Sequence, residues 1–319
     1  MPIVDMSLVQ LQEYQGRNPR PEDFDIFWDQ SLAEMRSVNA DLKVVPASFE
    51  TNFADCFDLF FTGVRGARIH AKLVRPKKLQ SQAPAVVRFH GYTGDSGDWI
   101  GHLPFAAAGI VVAALDCRGQ AGLSEDVGGV KGNTHHGHII RGLYEGPDKL
   151  LFRDIFLDAA QFAGIVMALP EVDSKRVDAE GVSQGGGLTL ACAALEPRIR
   201  RAAATMPFLC DYQRVWEMDL AKDAYEELRT FFRQFDPAHE NIAEWFQRLG
   251  YIDCQHLAAR IRGEVFMITG LMDTICPPST QFATYNKIIS KKNMLVYPDY
   301  GHERLPRVPD RVFEFLCHP

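Results

Sequence analysis

The sequence predicts an α/β protein with a mostly parallel central sheet that helices cover on both faces. Short, continuously apolar runs recur along the chain, and stretches with helical spacing separate them. Parallel strands have this apolar character because helices bury both faces of their sheet. In addition, a Gly-Val-Ser-Gln-Gly segment at 181–185 follows a strand-like run and precedes a small, apolar stretch. That order, strand then tight turn then helix, is typical of the edge of an α/β sheet.

The composition and net charge argue against several classes of binding partner. The 319 residues are 46% hydrophobic and 24% charged, as in ordinary soluble globular proteins, and suit one large α/β domain. The net charge is -7 and no block of Lys or Arg occurs, which argues against binding to nucleic acid. No apolar stretch approaches the ~20 residues needed to span a membrane. We therefore expect a small, neutral or weakly charged substrate, with no nucleic-acid or membrane partner.

The cysteines and the N-terminus predict a cytoplasmic location. The seven cysteines are odd in number and show no metal-type spacing, which is typical of free thiols in a reducing compartment. The first residues lack a basic region followed by an apolar run, and the chain contains no Asn-x-Ser/Thr sequon.

The first 40 residues are predicted to form a helical extension. A proline and two acids at 21–23 resemble the first turn of a helix. Apolar residues at helical spacing follow them: Phe24, Phe27, Trp28, Leu32 and Met35.

The sheet is predicted to begin with an antiparallel edge. Alternation at 57–61 and 69–73, around a turn at 63–66, predicts paired strands. A helix that crosses between two parallel strands is predicted at 152–169, where Pro170 ends it. The runs predicted as parallel strands are 85–89, 109–115, 176–180, 201–206, 265–269 and 294–297.

Between residues 207 and 263 the pattern changes to aromatic-rich helices, predicted at 222–235 and 241–249. A helical insertion between two core strands would lie near the carboxyl ends of the strands, where ligands bind in this architecture. The chain is therefore predicted to be a single domain over 1–319, with an N-terminal extension at 1–40 and an insertion at 207–263.

Ser183 is the candidate nucleophile. It is the central residue of a G-x-S-x-G box, and glycines on both sides are expected to let the backbone bend sharply and expose its hydroxyl. The alternative is a glycine-rich turn that merely opens a helix. With its flanking strand and helix, the box favours a serine hydrolase of the α/β-hydrolase fold.

Asp273 and His302 are the candidate partners of Ser183. A serine needs a base, and the base needs an orienting acid; in α/β-hydrolases the chain order is serine, acid, histidine. Asp273 follows the run at 265–269, and His302 follows the last predicted strand. Asp253 lies in the insertion and Asp299 follows the wrong strand, so both are weaker candidates for the acid.

The oxyanion hole requires two backbone amides. We assign one to Gln184, directly after the nucleophile, and the other to Tyr92 in the loop after the first parallel strand. In the same loop, His90 is predicted to be a structural hydrogen-bonding residue rather than a second base. Arg118 is predicted to pair with a carboxylate and fix its own loop; phosphate binding is the less favoured alternative.

Three clustered histidines, His135, His136 and His138, suggest a metal site at first sight. Their spacing is wrong for ligands on a helix, and no acid or cysteine completes a set. The sequence therefore predicts no metal and no organic cofactor.

These motifs together resemble the acetyl xylan esterase / cephalosporin C deacetylase family of α/β-hydrolases. The resemblance depends on Arg-Gly-Gln at 118–120, the segment 132–142, the box at 181–187 and the His302–Glu303 pair. It implies Ser183 as nucleophile, Asp273 as acid and His302 as base, with the amides of Tyr92 and Gln184 as oxyanion hole.

The resemblance also implies a substrate class and an assembly. Members act on acetyl groups of short sugars, such as acetylated xylo-oligosaccharides, and on the acetyl ester of the antibiotic cephalosporin C. They are typically intracellular homohexamers, built as trimers of dimers. We therefore expect an acetyl esterase; the sequence assigns no substrate-binding residue, physiological substrate or acyl-chain limit.

Two rival interpretations remain open. One is a serine peptidase or general short-chain esterase on the same fold, although peptidases of this fold usually carry a large extra domain. The other is a non-catalytic binding protein with a hydrolase fold, which would have no use for the complete set Ser183, Asp273 and His302.

Overall fold

A nine-stranded sheet forms the centre of the computed structural model, which describes residues 4–127 and 138–317. Its strands are β1 Lys43–Pro46, β2 Ala54–Thr62, β3 Arg68–Pro76, β4 Ala83–Phe89, β5 Val111–Leu115, β6 Val172–Val182, β7 Arg201–Thr205, β8 Glu264–Gly270 and β9 Lys292–Tyr297.

The helices of the described residues are α1 Leu8–Glu13, α2 Phe24–Ser37, α3 Leu103–Ala107, α4 Leu151–Met167, α5 Gln184–Leu195, α6 Tyr212–Glu217, α7 Glu226–Phe235, α8 Ile242–Leu249, α9 Cys254–Leu257, α10 Pro278–Lys287 and α11 Val308–Cys317. Short 3-10 turns lie at Val64–Gly66, Trp99–His102, Pro147–Lys149, Asp223–Tyr225, Gly250–Ile252 and Ala258–Arg260.

The strand order is β1-β2-β3-β5-β4-β6-β7-β8-β9. The strands from β5 to β9 along this order pair in parallel, whereas β1, β2, β3 and β5 pair antiparallel. The predicted antiparallel edge and parallel centre are therefore both present. Since the carboxyl ends of parallel strands meet at one edge, the loops after β4, β6, β8 and β9 lie along the same side.

Helices bury both faces of the sheet. Neighbouring residues of a strand point to opposite faces. In β4, Val87 joins a large core with α4 and α5, while Val86 joins a second core with α3 and α11. The continuous apolar character of this strand follows from burial on both sides.

The N-terminal residues bind the body of the molecule mainly through α2. Trp28 is fully buried and stacks on Phe156 of α4, with 6.0 Å between ring centroids. Its indole N–H donates to the Tyr251 carbonyl at 3.0 Å, which links α2 to the segment between β7 and β8. The helix begins at Phe24, directly after the predicted start at 21–23.

Four helices, α6 to α9, lie between β7 and β8. Helix α7 begins at Glu226, four residues after the predicted start at Lys222. The reason is Asp223, whose φ of 51° is incompatible with a continuous right-handed helix. The aromatic side chains here are mostly core residues: Tyr225, Phe231, Phe232, Trp245 and Phe246 are buried.

The cysteines have the free thiols that the sequence predicts. All seven cysteines are free, and only Cys317 is partly exposed. Within residues 4–127 and 138–317, none of the helices has the length and apolar character that a membrane span requires.

Candidate active site

Ser183 lies at a sharp turn between β6 and α5. Its φ of 60° and ψ of -118° are rarely adopted by residues other than glycine. Backbone hydrogen bonds hold this conformation: its amide donates to the Thr205 carbonyl at 2.9 Å, and its carbonyl accepts from the amides of Phe208 at 3.0 Å and Gly187 at 3.1 Å. The strained turn is therefore fixed by the neighbouring strand β7 and by its own helix.

The glycines beside Ser183 provide space. A Cβ at Gly181 would lie 2.4 Å from the Gly185 carbonyl, and a Cβ at Gly185 would lie 2.1 Å from the Phe89 carbonyl. Neither glycine has a positive φ. The glycines therefore allow the sharp turn, as the sequence predicts, by leaving space: Ser183 itself takes the strained conformation. Gly181 lets the start of α5 fold back on the end of β6, and Gly185 lets it lie against β4.

His302 connects Ser183 to Asp273. Its Nε2 lies 3.0 Å from the Ser183 hydroxyl oxygen, and its Nδ1 lies 2.8 Å from Oδ2 of Asp273. The Asp273 side chain is fully buried, while the imidazole is 20% exposed. In the neutral ring, Nδ1–H donates to the carboxylate and Nε2 accepts from the hydroxyl, which is the arrangement that proton transfer from serine requires.

The loop after β8 orients the Asp273 carboxylate. Its second oxygen, Oδ1, accepts hydrogen bonds from the amides of Ile275 at 2.9 Å and Cys276 at 2.8 Å. The two competing acids lie elsewhere. Asp253 is buried in the 207–263 segment, where it accepts from the Asp211 amide at 3.0 Å, and Asp299 is exposed.

The loop after β4 contacts the start of α5, so Tyr92 and Gln184 come from adjacent elements. The side-chain amide of Gln184 lies 3.5 Å from the His90 carbonyl. Among the described residues, neither the Tyr92 amide nor the Gln184 amide donates to another group. Two backbone donors thus remain available at this edge of the sheet, as an oxyanion hole requires.

Gln120 joins these two elements, a role that sequence reasoning missed. Gln120 and Gln184 exchange side-chain hydrogen bonds at 2.7 and 3.0 Å. The Gln120 oxygen also accepts from the Thr93 amide at 2.8 Å. The glutamine of the Arg-Gly-Gln motif was visible as a signal, but its partner lies 64 residues away.

The Tyr92 side chain is held by aromatic contacts. Its ring lies 5.6 Å from Phe208 and 5.3 Å from His138, centroid to centroid. Its hydroxyl donates to Nδ1 of His138 at 3.1 Å, and Nε2 of that histidine donates to the Gly119 carbonyl at 2.9 Å. His138 therefore supports the loop. The other two clustered histidines, His135 and His136, lie outside the described residues.

His90 has the structural role that the sequence predicts. Its Nε2 accepts from the Cys117 amide at 3.0 Å, and its Nδ1–H donates to the Gly91 carbonyl at 2.7 Å. Burial lowers the pKa of the ring, which favours the neutral form these bonds require. With both nitrogens engaged, His90 is not placed to act as a base.

Arg118 pairs with a carboxylate, as predicted. Its buried guanidinium binds Asp158 of α4 through two hydrogen bonds of 2.6 Å. The sequence carried a signal for this partner: Asp154 and Asp158 are spaced one turn apart in a largely apolar helix. Acids on a buried face require a cation.

The matches to known proteins extend over the whole chain. The family model described as acetyl xylan esterase (AXE1) matches residues 1–319. The crystal structure of acetyl xylan esterase 1 from Thermoanaerobacterium sp. JW/SL YS485 is 58% identical, covers 98% of each chain and superposes with a TM-score of 0.97. An acetyl xylan esterase from Paenibacillus sp. R4 is 33% identical, covers 98% of this chain and 99% of its own, and has a TM-score of 0.92.

A curated relative is more distant and longer. The acetyl esterase Axe7A of Xylanibacter ruminicola is 25% identical over 287 residues, which are 88% of this chain. The chain spans 63% of the length of that relative. The structural matches and the nine-stranded sheet confirm the predicted α/β-hydrolase fold.

Proposed function

This chain belongs to the acetyl xylan esterase family, and from that premise we propose that it is a serine carboxylic-ester hydrolase that removes acetyl groups from short acetylated sugars. The proposed substrates are acetylated xylo-oligosaccharides and acetyl esters of the cephalosporin C type. The observation that carries the proposal is the unbroken contact chain from the Ser183 hydroxyl through His302 to Asp273.

In the proposed first half-reaction, the Ser183 oxygen attacks the acetyl carbonyl while Nε2 of His302 takes the hydroxyl proton. Asp273 keeps Nδ1–H in place and stabilises the imidazolium that forms. The amides of Tyr92 and Gln184 donate to the oxygen that becomes negative. The imidazolium then protonates the departing sugar oxygen, and the carbonyl carbon stays on Ser183 as an acetyl ester.

In the second half-reaction, a water molecule replaces the alcohol. His302 takes a proton from the water, the hydroxide attacks the acetyl carbon, and the proton returns to the Ser183 oxygen as acetate leaves. Partial exposure of Ser183 and His302 supports this proposal, because substrate and water must both reach them while Asp273 stays buried. No step uses a metal or cofactor, so activity should survive strong chelation.

Acetate release from fully acetylated xylose, compared with a series of nitrophenyl esters from acetate to octanoate, tests the proposal. Rapid release from the sugar and a steep loss beyond the shortest acyl chains are expected. Equal or better rates on long chains, with acetylated xylose left intact, would retain a general serine esterase but reject the sugar-acetate substrate. Release of amines from peptide amides would favour the rival serine peptidase.

The assembly and location remain predictions. The family resemblance implies a homohexamer in the cytoplasm, built as a trimer of dimers. Sedimentation equilibrium on the purified chain distinguishes a hexamer from a dimer or monomer, and a monomer that retains full activity would contradict a functional role for the assembly.

A further inference from the structure

A buried thiol lies among the three residues of the proposed triad. Cys276 follows Asp273 by three residues and is fully buried, and its backbone amide binds the carboxylate. One potential ligand atom each from Asp273, Cys276 and His302 lies within 4.8 Å of the other two.

The proposed reaction has no use for this thiol. Burial raises the pKa of Cys276 well above its ordinary value, and the charge of Asp273 raises it further. The thiol is therefore protonated and is a poor nucleophile. Its position beside an imidazole and a carboxylate, however, forms the ligand set that zinc takes in proteins.

We propose that Asp273, Cys276 and His302 form an inhibitory binding site for zinc or a similar soft divalent transition-metal ion. The proposal goes beyond the ester hydrolysis proposed above, and its activity test rests on that function. Its spectroscopic test does not.

The geometry suits such an ion after a small adjustment. Zinc bonds of about 2.0–2.3 Å place tetrahedral ligands about 3.3–3.8 Å apart. Three atoms within 4.8 Å of one another therefore reach that arrangement by side-chain shifts of about 1 Å. Only the imidazole is exposed, so the ion would enter from the side that substrate uses. The Ser183 oxygen or a water can provide the fourth ligand.

Binding would stop the reaction whichever nitrogen of His302 coordinates. At Nε2 the metal takes the lone pair that accepts the serine proton. At Nδ1 it breaks the bond to Asp273 that orients the ring. Coordination replaces the thiol proton, which is released to solvent, and no electrons are transferred. Inhibition should therefore be reversed by a chelator.

Ester hydrolysis by protein without a polyhistidine tag provides the first test. Titration with Zn²⁺ should inhibit the wild-type enzyme, whereas Mg²⁺, which prefers oxygen ligands, should not. Cys276→Ser should raise the zinc inhibition constant by at least about tenfold, because a soft thiolate ligand is lost. Cys192→Ser is the matched control: that thiol is also buried but faces the Ala159 carbonyl at 3.5 Å, and inhibition should be unchanged.

Titration with Co²⁺ provides the second test, independent of activity. A thiolate bound to Co²⁺ gives a charge-transfer band in the near ultraviolet; we expect it in wild type and Cys192→Ser, and its loss in Cys276→Ser. Cys276→Ala serves if the serine variant does not fold. Undiminished zinc inhibition or an undiminished band without the Cys276 thiol would overturn the proposal, as would a wild-type protein with neither signal at saturating metal.

Discussion

Two histidine–aspartate units in this molecule differ mainly in what the second ring nitrogen meets. In both, Nδ1 lies close to a buried carboxylate: His302 is 2.8 Å from Asp273, and His70 of β3 is 2.6 Å from Asp116. Nε2 of His302 faces the Ser183 hydroxyl, and the ring is 20% exposed. Nε2 of His70 faces a second carboxylate, Asp58, at 3.0 Å, and the ring is only 2% exposed.

The group that faces Nε2 determines which charges surround each ring. Burial alone would lower the pKa of His70, but the hydrogen bonds and charges of Asp116 and Asp58 outweigh it and raise the pKa. Burial likewise opposes the charged form of Asp116, yet His70 and backbone amides bring its pKa down to about 2. The surroundings of His70 therefore favour a cation between two anions, whereas Nε2 of His302 faces a neutral hydroxyl.

The His70 unit has a structural task near the same edge of the sheet. Asp116 also accepts from the Ser96 amide at 2.6 Å and the Leu123 amide at 2.9 Å. It therefore fixes the loops that follow β4 and β5. The comparison teaches that a histidine–aspartate pair by itself does not identify a catalytic site; the environment of the far nitrogen does.

The two units should differ most in how strongly their replacement lowers the rate of ester hydrolysis. Ser183→Ala or His302→Ala should lower kcat/KM for acetyl ester hydrolysis by about 10⁴-fold or more, since members of a triad act as a unit. Acetate release measures the loss, and circular dichroism verifies the fold of each variant. A Ser183→Ala protein with full activity would end the assignment.

Replacing His70 should lower the stability of the protein much more than it lowers the rate of hydrolysis. His70→Gln leaves two carboxylates, one of them buried, without their cation, and we expect a loss of about 3 kcal/mol in the free energy of unfolding. Because His70 contacts no reacting group, kcat/KM should change by less than about tenfold. Urea denaturation beside acetate release measures both quantities. Unchanged stability together with abolished turnover would show that the two units have been assigned the wrong way round.

The smallest expected effect is on the pH dependence of stability. The folded pKa of His70 is raised above its ordinary 6.5, so its contribution is fully present below pH 6.5 and is lost as the pH rises through the raised value. The folded pKa of Asp116 is lowered from 3.8 to about 2, so its contribution is present above pH 3.8 and is lost as the pH falls toward 2.

The stability difference between wild type and His70→Gln should therefore be greatest between about pH 4 and 6.5. It should fall at higher pH, by at most about 1.4 kcal/mol per pH unit for one titrating group. Urea unfolding of both proteins from pH 5 to 9 measures it. A difference that stays constant or grows as the pH rises would show that His70 is not held as a cation.

The two units also show what the sequence reveals. Ser183, Asp273 and His302 are detectable because each follows a predicted strand, and parallel strands bring their carboxyl ends to one edge. His70 lies inside an alternating strand, and its carboxylate partners are 12 and 46 residues away. No local pattern distinguishes it from any other strand residue. Gln120 and Gln184 do lie in visible motifs, but their pairing was missed because 64 residues separate them.

The overall fold is also easier to predict from the sequence than local backbone conformation is. The sheet, its antiparallel edge and α4 follow from hydropathy patterns that run over many residues. The late start of α7 depends on one left-handed residue, Asp223, and the close approach of Gly185 to β4 depends on tertiary packing. Neither is visible in hydrophobic periodicity.

The most direct test of the central claim is covalent labelling with a fluorophosphonate probe, followed by peptide mass spectrometry. The account predicts one probe per chain, attached to Ser183. Labelling should be within about tenfold of the wild-type rate in His70→Gln and nearly absent in His302→Gln. Labelling at another residue, or equal labelling without His302, would contradict the assignment of Ser183 and His302 as nucleophile and base.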